Sequence, residues 1–268
     1  MARNSSAWLG SALRWAFIAL LATPALDAQQ GFGRAFGGGD PVPHNLPYDG
    51  RFIFARLTYT VGSGGYYYRG LPSWAHGYSH AEENLLKITN AISLLHAHTD
   101  GSNLLAMTDP ELFKFPVAYM TEAGYWVMSD AEVTALRKYV LKGGFLILDD
   151  TRDYFSPGNM GWANIEANFK RAFPELTFAD LTIEHPIFHA FFDVPSLDVV
   201  RQYYDRGPPQ FRALFANNDP KKRIMVLVNF NTDVSNYWEF SDTGFEPVED
   251  SNQAYKLGVN YLIYALTH

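Results

Sequence analysis

Residues Phe145 to Leu148 are apolar at every position, follow the pair Gly143-Gly144, and run directly into Asp149 and Asp150. A strand whose odd and even positions are both apolar has no side to offer to water, so both of its faces must be covered. Helices packed on a parallel sheet provide that cover, and the segment therefore selects an α/β architecture over a sandwich or a barrel. Ile224 to Phe230 and Phe115 to Thr121 are apolar segments of the same kind.

The stretches between them read as helices. Ser129 and Glu132 form a capping-box pattern ahead of Val133, Leu136 and Val140, and Gly143 with Gly144 stops the helix. Ser79 and Glu82 repeat the pattern ahead of Leu85, Ile88, Ile92 and Leu95, which predicts an amphipathic helix up to about His96. Strands are expected over Phe52 to Tyr59 and, shorter, over Leu104 to Met107. A last helix is expected over Asn252 to Thr267, where Val259, Leu262, Ile263 and Leu266 recur at helical spacing. Strands alternating with helices predict a doubly wound, mostly parallel, flavodoxin-like sheet.

The amino-terminal segment sets the expected compartment. Arg3 and Arg14 precede the apolar run Trp15 to Ala22, with Pro24, Ala25 and Ala28 after it, a pattern that predicts a signal peptide over residues 1–28. That run is far shorter than the roughly twenty apolar residues needed to span a bilayer, so no integral membrane anchor is expected. The expected location is exported, periplasmic or secreted. Residues 29–50, with glycines at 37 to 39 and prolines at 41, 43 and 47, read as a flexible linker, and residues 51–268 as a single α/β domain. The chain has no cysteine, which excludes disulfides, thiolate metal sites, thiol nucleophiles and a lipid-modified cysteine. Stability must then come from the core, for which 47% hydrophobic residues suffice. A net charge of −7 argues against nucleic acid or anionic lipid as a partner.

Open parallel sheets bind ligands beyond the carboxyl ends of their strands. The expected strands leave through Tyr59, through Thr121 and Glu122, through Asp149, Asp150, Thr151 and Arg152, and through Asn229, Asn231 and Asp233. Neighbours on a strand point to opposite faces, so Asp149 and Asp150 do not act on one bond together. Glu122 is the expected acid/base or metal-binding partner of either aspartate. Tyr59, Arg152, Asn231 and Asp233 are the expected ligand-binding residues. A plainer reading has Asp150 capping a loop and pairing with Arg152. His76 and His80 have a spacing known from zinc sites, but with Ser79 as N-cap His76 precedes the helix, so the two are not expected to share a face. His96 and His98, near a helix C-terminus, read as structural. The Gly62 to Gly65 loop lacks both the dinucleotide-binding spacing and the Walker lysine, and Gly77 to Ala81 lacks the second glycine of a serine elbow. No cofactor is expected, although a divalent cation is compatible with the carboxylates. Trp74, Trp126, Trp162, Trp238 and Tyr66 to Tyr68 offer rings that stack on sugars or fill a core.

Taken together, Phe54-Ala-Arg-Leu-Thr-Tyr59, Leu136-Arg137 with Gly143-Gly-Phe-Leu-Ile-Leu-Asp-Asp150, His185-Pro-Ile-Phe188 and Gly258-Val-Asn-Tyr-Leu-Ile-Tyr-Ala-Leu266 resemble the domain of unknown function 4159 family. The resemblance covers Arg51 to His268 and implies a class I glutamine amidotransferase-like fold, nearest to ThuA-like trehalose-utilisation proteins. It adds His185 to the catalytic candidates, because the ThuA-like proteins carry a similar His-Pro. The corresponding amidotransferase strand leads to a cysteine nucleophile, whereas this one leads to Asp149 and Asp150, which makes glutaminase chemistry improbable.

Two functions follow as expectations. The preferred one is a non-catalytic envelope protein that binds a partner protein or a glycan through the strand-exit cleft. The alternative is a carbohydrate-acting hydrolase or isomerase that uses Glu122 and Asp150, with His185 assisting and with a divalent metal as an option.

Overall fold

The computed structural model describes residues 45–268 apart from 64, 66, 69–70, 154–160 and 202–206. The expected signal peptide and most of the expected linker lie outside the described residues. The end of that linker, however, belongs to the fold. Asn45 donates to the Leu104 carbonyl at 2.9 Å, the Leu46 amide donates to Asn103 Oδ1 at 2.7 Å, and the Tyr48 ring meets Phe115 edge-on.

Seven strands form the central sheet: β1 (Ala55–Thr58), β2 (Asn103–Ala106), β3 (Val117–Thr121), β4 (Phe145–Thr151), β5 (Ala179–Asp180), β6 (Gln210–Phe215) and β7 (Ile224–Phe230). Their order is β2-β1-β3-β4-β7-β6-β5. The first five run parallel, while β6 pairs antiparallel with both β7 and β5. This is the mostly parallel α/β sheet expected, with an order consistent with a flavodoxin-like fold. The antiparallel edge was not foreseen, because Gln210–Phe215 alternates polar and apolar residues and has a half-exposed side.

Among the described residues, five α-helices complete the layers: α1 (His80–Ile92), α2 (Asp130–Leu141), α3 (Gly161–Ala172), α4 (Val234–Glu239) and α5 (Val248–Thr267). Helices α1, α4 and α5 pack together over Phe54, Tyr119, Phe145, Ile147 and Leu227 to form the main core. Helices α2 and α3 pack on each other, burying Leu136, Val140, Ile165 and Phe169. All seven residues of β4 are buried, which accounts for the uninterrupted apolar run that opened the reading.

The two capping patterns have different fates. Ser129 caps α2 through its side chain, and Glu132 returns the bond to the Ser129 backbone. Ser79 makes no side-chain cap on α1 and instead donates to Glu83 Oε1 at 2.6 Å. Glu82 is occupied elsewhere, in a 2.5 Å ion pair with Arg56 of β1. Helix α1 ends at Ile92, four residues before the expected limit, where Ser93 turns to an extended conformation.

Strand β4 carries one irregularity that decides the site. Its register with β7 runs Leu148 opposite Val228 but Thr151 opposite Phe230, so β4 holds one extra residue between those pairs. Asp150 takes up the excess with φ of 50°, in the left-handed region that a side-chain-bearing residue seldom adopts. Glu122, just beyond β3, has φ of 54°, and Asn231, just beyond β7, has φ of 59°. Three neighbouring strand exits thus turn sharply at polar residues.

Candidate functional site

The strand order reverses between β1 and β3, the point at which an open parallel sheet leaves a crevice beyond its carboxyl ends. The bulge in β4 separates the two aspartates that adjoin this crevice. Asp149 turns toward the helices: it accepts from Tyr119 Oη, Asn229 Nδ2 and the Ser235 amide, each at 2.8 Å, and from the Val234 amide at 3.3 Å. It therefore ties β3, β7 and the first turn of α4 to β4. Burial pushes its carboxyl up, while the bonds from Asn229, Tyr119 and Ser235 work the other way.

Asp150 turns instead to a group of ionisable side chains at the crevice. Its Oδ1 accepts from Arg152 Nη1 and its Oδ2 lies 3.3 Å from His76 Nδ1. Arg152 Nη2 reaches Glu122 Oε1 at 3.3 Å. Glu122 and Asp150 are both fully buried and share this guanidinium. Burial would raise the Asp150 carboxyl, but the Arg152 guanidinium and the bond from His76 hold it well below the usual carboxylate range. Asp233, also buried, is driven well above that range, first by burial and then by the charge of Asp150. Burial works against a charged His76, yet its bond to Asp150 and the charges of Asp233, Asp150 and Glu122 override this and push it up to about 10. His76 and Arg152 are the members that water reaches, with side chains 28% and 19% exposed.

The sequence reading did not place His76 here. Its position depends on Arg56, a fully buried residue of β1 that donates to the Trp74 and His76 carbonyls and pairs with Glu82. Arg56 thus pins the loop after β1 from below, and Gly77 follows with φ of 71°. A side chain there would meet Glu239 Oε2 at 3.0 Å. Arg56 stands inside the resembling motif, but nothing in its spacing indicates that its guanidinium reaches His76. His80 does point away, to Asp242 at 3.2 Å, so the two histidines share no face, as expected.

Of the other candidates, Tyr59 is buried at the edge of the cluster and donates to the Glu122 carbonyl at 2.7 Å, which fixes the turn after β3. Asp233 caps α4 by accepting from the Asn236 amide at 3.0 Å while also lying in the cluster. Asn231 donates to the Gly207 and Pro208 carbonyls and serves a neighbouring loop. His185 lies elsewhere. Its ring packs on Phe215 and Tyr264, and Phe215 pairs with Ile224 at the amino end of β7, the edge opposite Asp150. It accepts from the Ile187 amide at 3.2 Å and so caps the turn at Pro186. The expectation that it assists the carboxylates is corrected by this placement.

Of the two roles open to the tryptophans, the structure shows the core-filling one. Trp74, Trp126 and Trp238 are at most 5% exposed, and Trp162 lies over Arg212 and against Phe178 and Phe230. They fill the core and its margin. Tyr66 lies outside the described residues. No helix among the described residues is long and apolar enough to cross a membrane. No curated protein matches the chain. The family described as Domain of unknown function (DUF4159) matches residues 53–266, from the approach to β1 to the last turn of α5, and the chain belongs to that family.

Proposed function

We propose that this chain is an exported enzyme of the isomerase type, acting on a carbohydrate by proton transfer between Glu122, Asp150 and the substrate. The observation that carries the reading is the pair of fully buried carboxyl groups, Glu122 and Asp150, bridged by Arg152 beside the reversal of strand order, with His76 at the other oxygen of Asp150. Glycosidases keep the sugar between their two carboxyl groups, whereas here the Arg152 guanidinium lies against both, which argues against a hydrolase. One carboxylate takes the proton from the carbon beside the sugar carbonyl, a carboxyl group of the pair returns a proton at the carbonyl carbon, and the proton of the adjacent hydroxyl passes to the former carbonyl oxygen, so that no net proton is gained or lost. Arg152 and His76, at the water-reached rim, are suited to meet sugar hydroxyls and to offset the charge that develops on the enediolate oxygens.

The sheet order and the turn at the end of β4 also favour a glutamine amidotransferase-like, ThuA-like scaffold in which Asp150 stands where a cysteine nucleophile would. An exported binding module is the competing function, but nothing in a glycan-binding role calls for two fully buried carboxyl groups bridged by one guanidinium. Burying several charges is costly unless they are closely paired, so their retention fits chemistry better than stability. Thermal denaturation with a panel of aldoses and ketoses tests the reading. A bound sugar at a hundred times its Kd adds about 2.7 kcal/mol, which raises Tm by roughly 5–10 °C in a domain this size. No shift with any sugar, in wild type and in Glu122→Gln alike, would overturn it.

A further inference from the structure

Three segments far apart in sequence bring His76, Asp150 and Asp233 together, with one ligand atom of each within 4.8 Å of the others. Three atoms so placed share a point no more than about 2.8 Å from each, so a closure of less than about 1 Å gives the 2.0–2.2 Å bonds that zinc makes to nitrogen and oxygen. We propose that His76, Asp150 and Asp233 form a binding site for a divalent transition-metal ion. The inference rests on the site proposed above and adds to it an electrophile that neither carboxyl group supplies.

The donor set selects the ion. An imidazole nitrogen beside two carboxylates suits zinc, manganese or iron, whereas magnesium and calcium favour oxygen alone. Three protein ligands leave coordination positions open, the arrangement found in catalytic rather than structural sites. His76 is the partly exposed ligand, so those positions lie toward the rim.

The surroundings supply the outer contacts that such sites use. Arg152 holds Asp150 Oδ1, while Oδ2 faces His76. A separate observation points to the same place. Glu239 Oε2 is buried without a hydrogen-bond partner and lies against Gly77, next in sequence to His76. A metal-bound histidine directs its second nitrogen to a carboxylate or a carbonyl, and Glu239 is a carboxylate beside the residue that follows His76. The ion would polarise the sugar carbonyl and stabilise an enediolate, while Arg152 stays in contact with both Glu122 and Asp150.

Metal content after dialysis, with titration calorimetry of Zn²⁺ and Mn²⁺ into the chelator-treated chain, tests the site. The expected result is one ion per chain. In His76→Gln and in Asp233→Asn the affinity should fall at least tenfold, and in His80→Gln it should stay unchanged. His76 is partly exposed and Asp233→Asn is nearly isosteric, so circular dichroism should report both variants folded. Far less than one ion per chain in wild type, or equal affinity in wild type and His76→Gln, would overturn the proposal. Tight binding of Mg²⁺ or Ca²⁺ in place of Zn²⁺ and Mn²⁺ would overturn the assignment of the ion. Sugar-induced stabilisation that persists in chelator would remove the metal and leave the proton-transfer reading standing.

Discussion

Replacing Asp149 by asparagine keeps its volume and removes one acceptor oxygen, and the contacts around it fix what that costs. In one amide orientation the new NH₂ faces the Ser235 amide, now bonded at 2.8 Å; in the other it faces the Val234 amide, now at 3.3 Å. Tyr119 can rotate its hydroxyl to accept instead, but a backbone amide cannot. One buried N–H is therefore left without an acceptor in either orientation, at about 1–3 kcal/mol, and the remaining bonds lose their charge assistance. A loss of about 2–4 kcal/mol is expected, which lowers Tm by roughly 5–15 °C. Asp150→Asn should behave differently: Arg152 is partly exposed and can turn to water, and removal of one negative charge relieves Asp233. Its loss should be the smaller of the two, about 1–2 kcal/mol, the contacts to Arg152 and His76 being given up in part. Urea unfolding followed by far-ultraviolet circular dichroism measures both variants. Equal losses in the two, or a larger loss in Asp150→Asn, would refute the division of these neighbours into an anchor and a site residue.

Other consequences follow from the same contacts. Glu82→Gln strands the buried Arg56 charge and should cost about 3–5 kcal/mol, whereas joint replacement of Arg56 and Glu82 by methionine should recover only part of that loss, because the Trp74 and His76 carbonyls then lose their donor, as measured by urea midpoints. Ser129→Ala removes the side-chain cap of α2 and should cost about 1 kcal/mol, while Ser79→Ala, which has no side-chain cap to lose on α1, should cost less. Burial and the nearby charge of His268 depress the His185 imidazolium, so the unfolded chain binds the proton more readily and His185 favours folding above its unfolded pKa, near 6.5. The stability difference between wild type and His185→Phe should therefore move against wild type as pH falls from about 7.5 to 5.5, and a constant difference would show that the ring is not desolvated.

What the sequence disclosed follows its periodicities. Phe145 to Leu148 and Ile224 to Phe230 have lengths and compositions that only a covered parallel strand accommodates, and both lie in the centre of the sheet. Glu122 and Asp150 were found together because each stands at the exit of such a strand. The remainder of the cluster depends on long-range contacts without a local signature. His76 sits in a loop placed by a buried arginine, and the bulge that turns Asp150 away from Asp149 shows only as a register shift between two strands. Glu82 matched a capping box in sequence, but the Arg56 charge outweighed the cap. His185 was drawn in by a resemblance that carries a motif and not a position. The half-exposed strand β6 and the six-residue helix α4 lack the continuous apolar pattern by which the others were recognised.

The claim that Glu122 and Asp150 move protons on a sugar has a direct test. An isomerase that passes a proton between carbon and a carboxyl group exchanges it with solvent, so the hydrogen beside the carbonyl of a substrate sugar is replaced by deuterium in D₂O. Proton nuclear magnetic resonance of the chain with aldoses and ketoses, supplied with Mn²⁺ or Zn²⁺, should show that signal disappear in wild type and in His185→Phe, and persist in Glu122→Gln. Persistence of every sugar signal in wild type, or equal exchange in wild type and Glu122→Gln, would contradict the account.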